Sequence, residues 1–185
     1  MQTTNNLLVD ELIAITDRCT EAVKQFSSLS PARINHRSSD NSWSILECIE
    51  HLNLYGDFYL PEIERRLLEQ KPAMGKLVFK SGLLGNYFAN LMKVKEGKLK
   101  KMKSPKDKNP VHRELAVTTI DRFLKQQQKL KDLLERSRNI NLVKTRTAIS
   151  ISPWIKLRLG DTCRFLVYHI ERHVRQAQRE MKATS

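Results

Sequence analysis

Three histidines have the spacing of a metal site. His169 and His173 are four residues apart, so on a helix both imidazoles lie on one face, one turn from each other, and can converge on a single point. That face also carries apolar residues, so the pair is expected to point into the protein. His51 lies on another predicted helix, at the border of its apolar face. Neutral imidazoles from two facing helices would form a three-coordinate site with open positions for water or substrate, as in catalytic zinc centres.

The same pattern also has a purely structural interpretation. A HxxxH pair occurs by chance in many helices, and a histidine beside an apolar face is commonly a core residue with one hydrogen bond. The segment is not the HExxH motif of metalloproteases, because no glutamate directly follows His169. Glu171 projects about 200° away from His169 on a helix. Buried imidazoles do need polar partners, since each unsatisfied polar group costs on the order of 1–3 kcal/mol. A shared metal ion would satisfy both rings.

Amphipathic helices are predicted over most of the chain. Apolar residues recur at helical spacing in four segments: residues 7–26, a segment that begins at Ser44, residues 111–138, and a segment that begins near Asp161 or Thr162. There is no internal repeat and little strand signal. The sequence therefore predicts an all-α protein, a four-helix bundle in a single domain that spans residues 1–185.

Local signals mark the ends of these segments. Ser44 and Glu47 have the spacing of a capping box, which marks the start of the second helix. Pro61 either kinks that helix or separates it from a continuation. Residues 145–151 alternate in a way that predicts a short extended strip between the last two helices. The strip is too short to change the fold class.

Composition excludes several classes of protein. The chain has 185 residues, of which 40% are hydrophobic and 29% charged, which is ordinary for one globular domain and too apolar for a disordered chain. The start has no signal-peptide pattern, and no stretch approaches the roughly 20 apolar residues of a membrane span. The three cysteines have no zinc-ribbon spacing. An odd number of cysteines suits free thiols in a reducing compartment, so we expect a cytoplasmic protein.

The net charge of +13 is unevenly distributed. Residues 1–70 carry −5, residues 71–110 carry +9 and residues 111–185 carry +9. The central segment contains prolines and glycines that disfavour one long element, so we interpret residues 71–110 as a basic insert between the second and third helices.

The insert has several possible roles. Its apolar residues between positions 77 and 92 are followed by a run of lysines. They could form a surface that meets anionic lipid or a lid over the open end of the bundle. We favour a third interpretation, in which the apolar part packs on the bundle and the lysines form a solvated loop. Nucleic-acid binding is not expected, because the basic run lacks interleaved aromatic residues and no helix-turn-helix or zinc-finger spacing accompanies it.

Two motifs resemble a known family. The run WSILECIEHL, from Trp43 to Leu52, and the run HIERHVRQ, from His169 to Gln176, are similar to the second-helix and fourth-helix motifs of the DinB-like (YfiT-type) metalloenzyme superfamily. The resemblance covers nearly the whole chain outside residues 71–110. It implies a four-helix bundle with a long crossover between helices two and three, and a divalent metal ion, zinc or nickel, held by His51, His169 and His173.

The resemblance also implies a class of reaction. Some relatives are S-transferases that use a low-molecular-weight thiol such as bacillithiol or mycothiol, others are related to thiol-dependent isomerases, and many pair as homodimers. A metal suits this chemistry because it lowers the pKa of a bound thiol or water. The first hypothesis is therefore a metal-dependent thiol transferase or hydrolase. The second is a non-catalytic bundle in which a metal or the histidine cluster is structural and the basic surface binds an anionic partner.

Residues near the histidines have two interpretations each. Glu47 could orient His51 from one turn away, but its role as capping-box partner of Ser44 is favoured. Gln176 could hydrogen-bond near the metal or contact a neighbouring helix. Cys48 has the position of a nucleophile but is interpreted as a core residue. No role is assigned to the two remaining histidines, His36 and His112, because neither has a partner at ligand spacing.

Overall fold

Four long helices carry the core of the protein. The computed structural model describes residues 1–40, 42–94, 103–111 and 113–183. Counted in chain order among its helices, the long ones are α1 (Asn5–Lys24), α3 (Ile45–Leu68), α5 (Thr118–Ser137) and α6 (Leu159–Ala183). Helix α3 packs on α5 and α6, and α1 packs on the same two from the other side. Aliphatic and aromatic side chains from all four fill the centre, so the predicted all-α bundle is confirmed.

Smaller elements surround the bundle. Two short helices are α2 (Pro31–Asn35) and α4 (Leu83–Met92). Strand β1 (Gln2–Thr4) pairs antiparallel with β2 (Val78–Lys80), and β3 (Arg146–Ile149) pairs antiparallel with β4 (Ser152–Arg158) through an irregular register after Ala148. Single 3-10 turns cover Gln25–Ser28 and Lys106–Lys108. The described part of the insert is therefore largely structured, with a strand, a helix and a turn.

The start of α3 follows the sequence prediction. The Ser44 hydroxyl accepts a hydrogen bond from the backbone N–H of Glu47, and the Glu47 carboxylate accepts one from the backbone N–H of Ser44, so the capping box is complete. The helix then runs through Pro61 to Leu68 without ending. His51 and the residues after Pro61 therefore belong to one continuous helix.

The third long helix begins later than predicted. The sequence periodicity places its start at residue 111, whereas α5 begins at Thr118. Leu115 has the helical phase of the α5 core residues but packs against the core from non-helical backbone, and Arg113 forms an ion pair with the buried Glu50 of α3. These contacts replace the helical turn that the local pattern favours.

The last long helix begins earlier than predicted, and the two predicted N-cap residues, Asp161 and Thr162, make other hydrogen bonds. Helix α6 starts at Leu159, with Asp161 and Thr162 in its first turn. The Thr162 hydroxyl is 2.5 Å from the hydroxyl of Thr147 on β3. The Asp161 carboxylate, which is fully buried, accepts hydrogen bonds from the Ser81 hydroxyl and from the backbone N–H of Gly82 at 2.8 Å.

The Asp161 carboxylate ties helix α4 to the bundle. Gly82 is the N-cap residue of α4 and has no side chain to offer, so the carboxylate from α6 occupies that helix terminus, where negative charge is favourable. At Gly85 a Cβ atom would lie 2.4 Å from the Asp161 Cγ atom, so only glycine allows this approach. Arg164, 2% exposed, pairs with Asp161 at 3.2 Å.

The extended strip predicted at residues 145–151 is the first half of a hairpin. Strand β3 covers Arg146–Ile149 with Thr147 and Ile149 buried, as the alternation predicts. Strand β4 was not predicted, because its residues lack a simple alternating pattern.

The insert packs on the bundle through one side only. Phe79, Ala89 and Met92 are buried, in line with the favoured interpretation. Leu83 and Tyr87, in contrast, are largely exposed. Most of the lysine run, residues 95–102, lies outside the described residues. Within the described residues, no helix is long and apolar enough to cross a bilayer.

The structure predicts a large cost for neutralising Asp161. The substitution Asp161→Asn removes the charge that pairs with the buried Arg164, and an unpaired buried charge costs about 3–5 kcal/mol. Denaturant unfolding should show this loss in the free energy of unfolding. The matched control is Asp132→Asn, because Asp132 is half-exposed and forms only a surface pair with Arg136, worth about 0.3–0.5 kcal/mol. Equal losses in the two variants would contradict the role given to Asp161.

Candidate metal centre

The structure brings the three predicted histidines together. His51 projects from the first half of α3, and His169 and His173 project from consecutive turns of α6. Their nearest ring nitrogens all lie within 4.8 Å of one another, and the ring centroids form a triangle with sides of 4.5, 4.6 and 5.0 Å. His51 and His169 are 3% and 4% exposed, and His173 is half-buried. The cluster therefore lies at the α3–α6 contact, with His173 nearest to solvent.

Hydrogen bonds fix which nitrogen is protonated in two of the rings. The Nδ1–H of His51 donates to the backbone carbonyl of Lys108 at 2.7 Å, and the Nδ1–H of His173 donates to the Oε1 atom of Gln176 at 3.0 Å. Both partners are oxygen acceptors, so a neutral ring must carry its proton on Nδ1. The lone pairs of His51 and His173 therefore lie on their Nε2 atoms, and the Nε2 atom of His51 lies beside the Nε2 atom of His169. This is the arrangement in which metal-binding histidines are held by their neighbours.

The separation of the ring nitrogens fits a shared ion. The Nε2 atoms of His51 and His169 are 3.2 Å apart. Two imidazole nitrogens bound to one zinc at about 2.0–2.1 Å in tetrahedral geometry would lie about 3.3 Å apart. The donor set is also right, because three imidazoles suit zinc, nickel, copper and iron.

Packing rather than hydrogen bonding orients the third ring. The Nδ1 atom of His169 is buried and has no hydrogen-bond partner among the described residues. Its ring instead stacks on Phe165, with the planes 8° apart and the centroids 5.7 Å apart. Tyr55 covers another side, 4.4 Å from the His169 centroid. Aromatic contacts of this kind hold a ring through shape and through the quadrupoles of the rings.

Burial keeps all three imidazoles neutral. Removal from water lowers the pKa of His51 to about 4, although the hydrogen bond to the Lys108 carbonyl opposes this shift. Burial also lowers the pKa of His169 and of His173 well below the ordinary value, and the neighbouring imidazoles and the positive charge of Arg172 add to the effect. At neutral pH the rings therefore keep the lone pairs that a metal requires.

Two aromatic residues complete the wall of the site. Trp43, directly before the α3 cap, lies with its centroid 4.8 Å from the His51 ring and 5.7 Å from the His173 ring. Tyr55, one turn after His51, lies 4.9 Å from the same ring. Sequence reasoning placed both residues in the motif or the helical stripe but gave them no part in the site. The available signal was the position of Tyr55 one turn after His51 and of Trp43 directly before the helix cap.

Comparison with known families agrees with this geometry. A family model described as the DinB superfamily matches residues 14–177, a range that contains all three histidines and both motifs. The chain belongs to the DinB superfamily. Neither the curated proteins nor the solved structures that were compared give a match.

In this DinB-superfamily protein Glu47 belongs to the helix cap. Besides the Ser44 backbone N–H, its carboxylate accepts two hydrogen bonds from the Arg37 guanidinium, one of them at 2.9 Å. The acceptor that holds His51 is the Lys108 carbonyl of the insert. The favoured capping role is therefore confirmed.

Gln176 contacts the cluster, because its side-chain oxygen accepts a hydrogen bond from the His173 ring. The Lys108 carbonyl was not predicted, since a backbone oxygen from a distant loop leaves no signature in side-chain type. His36 is exposed and ends α2, away from ligand spacing. His112 lies outside the described residues.

The cysteines of the protein are core residues. Cys19, Cys48 and Cys163 are free and buried. Burial raises the pKa of Cys19 and of Cys163 to about 12, and it raises the pKa of Cys48 well above its ordinary value. A thiolate is the reactive form, so none of the three thiols has the properties of a nucleophile.

We expect no fast thiol reaction in the folded protein. A disulfide reagent that reports thiolate release should react with all three cysteines in denaturant and with none on the mixing timescale in native buffer at neutral pH. The Cys48→Ser variant serves as the control, because it should reduce the denatured count by one and leave the native result unchanged. Rapid native reaction of one thiol that Cys48→Ser abolishes would contradict the core assignment.

Proposed function

We propose that this protein is a metal-dependent enzyme of the DinB superfamily, a thiol-dependent S-transferase or a hydrolase. His51, His169 and His173 are the proposed ligands of a divalent ion, zinc or nickel. One observation carries the proposal above the others. The Nδ1–H groups of His51 and His173 are bound to oxygen acceptors, so their Nε2 lone pairs lie in the cluster, where neighbouring imidazoles are the polar groups beside them.

Membership of the DinB superfamily supports metal binding, and the three-imidazole donor set supports a catalytic role for the metal. Proteins of the DinB superfamily bind metals, and three neutral imidazoles leave coordination positions for a further ligand. A divalent ion bound there lowers the pKa of a coordinated thiol or water and so supplies a nucleophile at neutral pH. A low-molecular-weight thiol is the proposed co-substrate, by resemblance to family members that use one.

The residues around the ligands have distinct tasks in this proposal. Lys108 and Gln176 hold two of the rings in one tautomer through their acceptor oxygens. Trp43, Tyr55 and Phe165 exclude water from the ring edges. Burial raises the pKa of Tyr55 to about 12, so its phenol keeps its proton and is a hydrogen-bond donor rather than a base. The half-buried His173 marks the side from which a substrate would approach.

A non-catalytic role is the second candidate. Two of the three rings are almost fully closed off, with His51 and His169 exposed by 3% and 4%, and a closed site is typical of a structural metal. In that case the ion would stabilise the α3–α6 contact and no substrate would reach it. Pairing as a homodimer and a cytoplasmic location stay predictions, the first from the resemblance and the second from the cysteines.

Metal analysis tests the ligand assignment. Protein purified without an affinity tag should carry about one zinc or nickel per chain, measured by elemental analysis, and added metal should raise the melting temperature of stripped protein. His51→Ala and His169→Ala should each lose both properties, because each removes one of three ligands. His36→Ala is the matched control, since His36 is an exposed histidine outside the cluster. Stoichiometric metal that survives both ligand substitutions would contradict the assignment.

The same preparations separate the two candidate functions. Metal-loaded protein would be assayed for conjugation of a low-molecular-weight thiol to an electrophile such as chlorodinitrobenzene, and for hydrolysis of a nitrophenyl ester. Turnover that requires the metal and that His173→Ala abolishes supports an enzyme. Full metal occupancy with a large thermal stabilisation and no turnover of either substrate would favour the structural role.

The hydrogen bonds around the rings predict a contrast between Gln176 and Glu47. Gln176→Ala removes the acceptor that orients His173 and should weaken metal affinity about 10–100-fold. Glu47→Gln should leave the affinity unchanged and lower the free energy of unfolding by about 1–3 kcal/mol, because it weakens the cap and the pair with Arg37. Metal titration by calorimetry and denaturant unfolding measure the two quantities. The opposite pattern would mean that Glu47, not Gln176, supports the ligands.

A further inference from the structure

The outer side of α4 is apolar and uncovered. Leu83 is 96% exposed, Tyr87 61%, Leu84 44% and Leu91 37%. These positions fall on one side of a helix, and the ten residues of α4 include no charged side chain. Single exposed leucines are ordinary on protein surfaces, whereas a contiguous apolar stripe marks a site of interaction.

This stripe is held rigidly outward. Gly85, Ala89 and Met92 on the opposite side of α4 are buried, where the helix packs on α6. The Asp161 carboxylate fixes the start of α4 and leaves no room for a side chain at Gly85. Rotation of the stripe into the core would break these contacts, so the apolar residues are not loosely packed core residues.

Basic side chains border the apolar stripe. A cleft of about 310 Å³ separates the start of α4 from the β3–β4 hairpin. Leu83 and Leu84 line one side of it, and the basic residues that line it are Arg146, Lys156 and Arg158. Asp161 is the acidic residue in the lining, and it is fully buried and paired with Arg164. The charge that this cleft presents to solvent is therefore positive.

The surrounding sequence has the same one-sided charge. Residues 70–94, which contain β2 and α4, and residues 139–160, which contain the hairpin, include eight Lys and Arg and no Asp or Glu. The stripe is thus set among segments with no acidic side chains at all. Apolar groups beside this basic cleft are complementary to a surface that is apolar inside and negatively charged outside.

We propose that the outer face of α4, together with the basic cleft beside it, docks the protein on an anionic lipid bilayer. Leu83, Leu84 and Tyr87 would enter the headgroup region, and Arg146 and Lys156 would contact lipid phosphates. Helix α4 has ten residues, too few for a span of about 20 residues, so it would lie in the plane of the interface. Two weak contributions act together here, apolar insertion and attraction to anionic headgroups.

A second copy of the chain fits this face less well. A two-fold contact places the same patch on both partners, so each basic border would face another basic border without an acidic residue from these segments to offset it. Like charges across an interface oppose association. The positive charge of this face therefore favours lipid phosphates as its binding partner.

Vesicle co-sedimentation of the full chain tests the proposal. We expect binding to vesicles of phosphatidylglycerol and phosphatidylcholine in equal parts, little binding to phosphatidylcholine alone, and loss of binding at high salt. Leu84→Ser should weaken binding to the mixed vesicles about tenfold. Val117→Ser is the matched control with unchanged binding, because Val117 is 46% exposed against 44% for Leu84 and is the N-cap residue of α5, outside α4.

Charge variants test the contribution of the basic cleft to vesicle binding. Arg146→Gln combined with Lys156→Gln should also weaken binding about tenfold, whereas Lys125→Gln combined with Lys182→Gln changes the net charge equally and should have little effect. Tyr87→Ser replaces Leu84→Ser if the latter misfolds by circular dichroism. Absence of vesicle binding, equal binding to phosphatidylcholine, equal effects of the variants and their controls, or a dimer in sedimentation velocity that Leu84→Ser dissociates would each overturn the proposal.

Discussion

Three neutral imidazoles meet between two helices, two of them buried and one half-buried, and the contacts around them connect the main parts of the structure. A buried polar ring that lacks partners is costly, on the order of 1–3 kcal/mol for each unsatisfied group. Oxygen acceptors offset this cost at the Nδ1 atoms of His51 and His173, whereas the Nδ1 atom of His169 has no hydrogen-bond partner among the described residues and Phe165 only orients its ring. The Nε2 atoms of His51 and His169 face each other at 3.2 Å, and a cation is the simplest group that would bind the Nε2 lone pairs of all three rings together.

The fold is arranged around this requirement. The capping box fixes where α3 begins, and so sets the level at which His51 meets the two histidines of α6. The insert contributes from a distance, since its Lys108 carbonyl holds the His51 ring. Its other end is fixed by the Asp161 carboxylate, which anchors α4 on α6. The insert is therefore linked to the site at one end and to the proposed membrane face at the other.

Much of the site could be predicted from the sequence because its information is local. The spacing of His169 and His173, the cap at Ser44 and the position of His51 all depend on helical periodicity, which the sequence displays directly. The contact between Tyr55 and His51 follows from the same helical spacing, whereas the contact between Trp43 and His173 joins two distant segments. Cys48 was correctly assigned to the core, because a thiol on the apolar face of a helix is buried far more often than it is reactive.

The features that the sequence did not predict depend on contacts between distant segments. Asp161 has the sequence signature of an N-cap, but it caps a different helix, α4, which only the three-dimensional arrangement brings beside it. Leu115 has the phase of a helix that begins after it. The Lys108 carbonyl has no side-chain signature of any kind. The excess of positive charge is visible in the sequence. The sequence does not show that α4 of the insert has one buried side and one exposed apolar side, with a basic cleft beside the exposed side.

X-ray absorption spectroscopy of the metal-loaded protein tests the central claim most directly, because it counts the nitrogen and sulfur atoms bound to the ion. We expect three imidazole nitrogens at about 2.0–2.1 Å, with one or two oxygen or nitrogen ligands completing the shell. Addition of a low-molecular-weight thiol should introduce one sulfur at about 2.3 Å. Sulfur ligation before thiol is added, or a shell of oxygen atoms without imidazole scattering, would contradict the three-histidine centre.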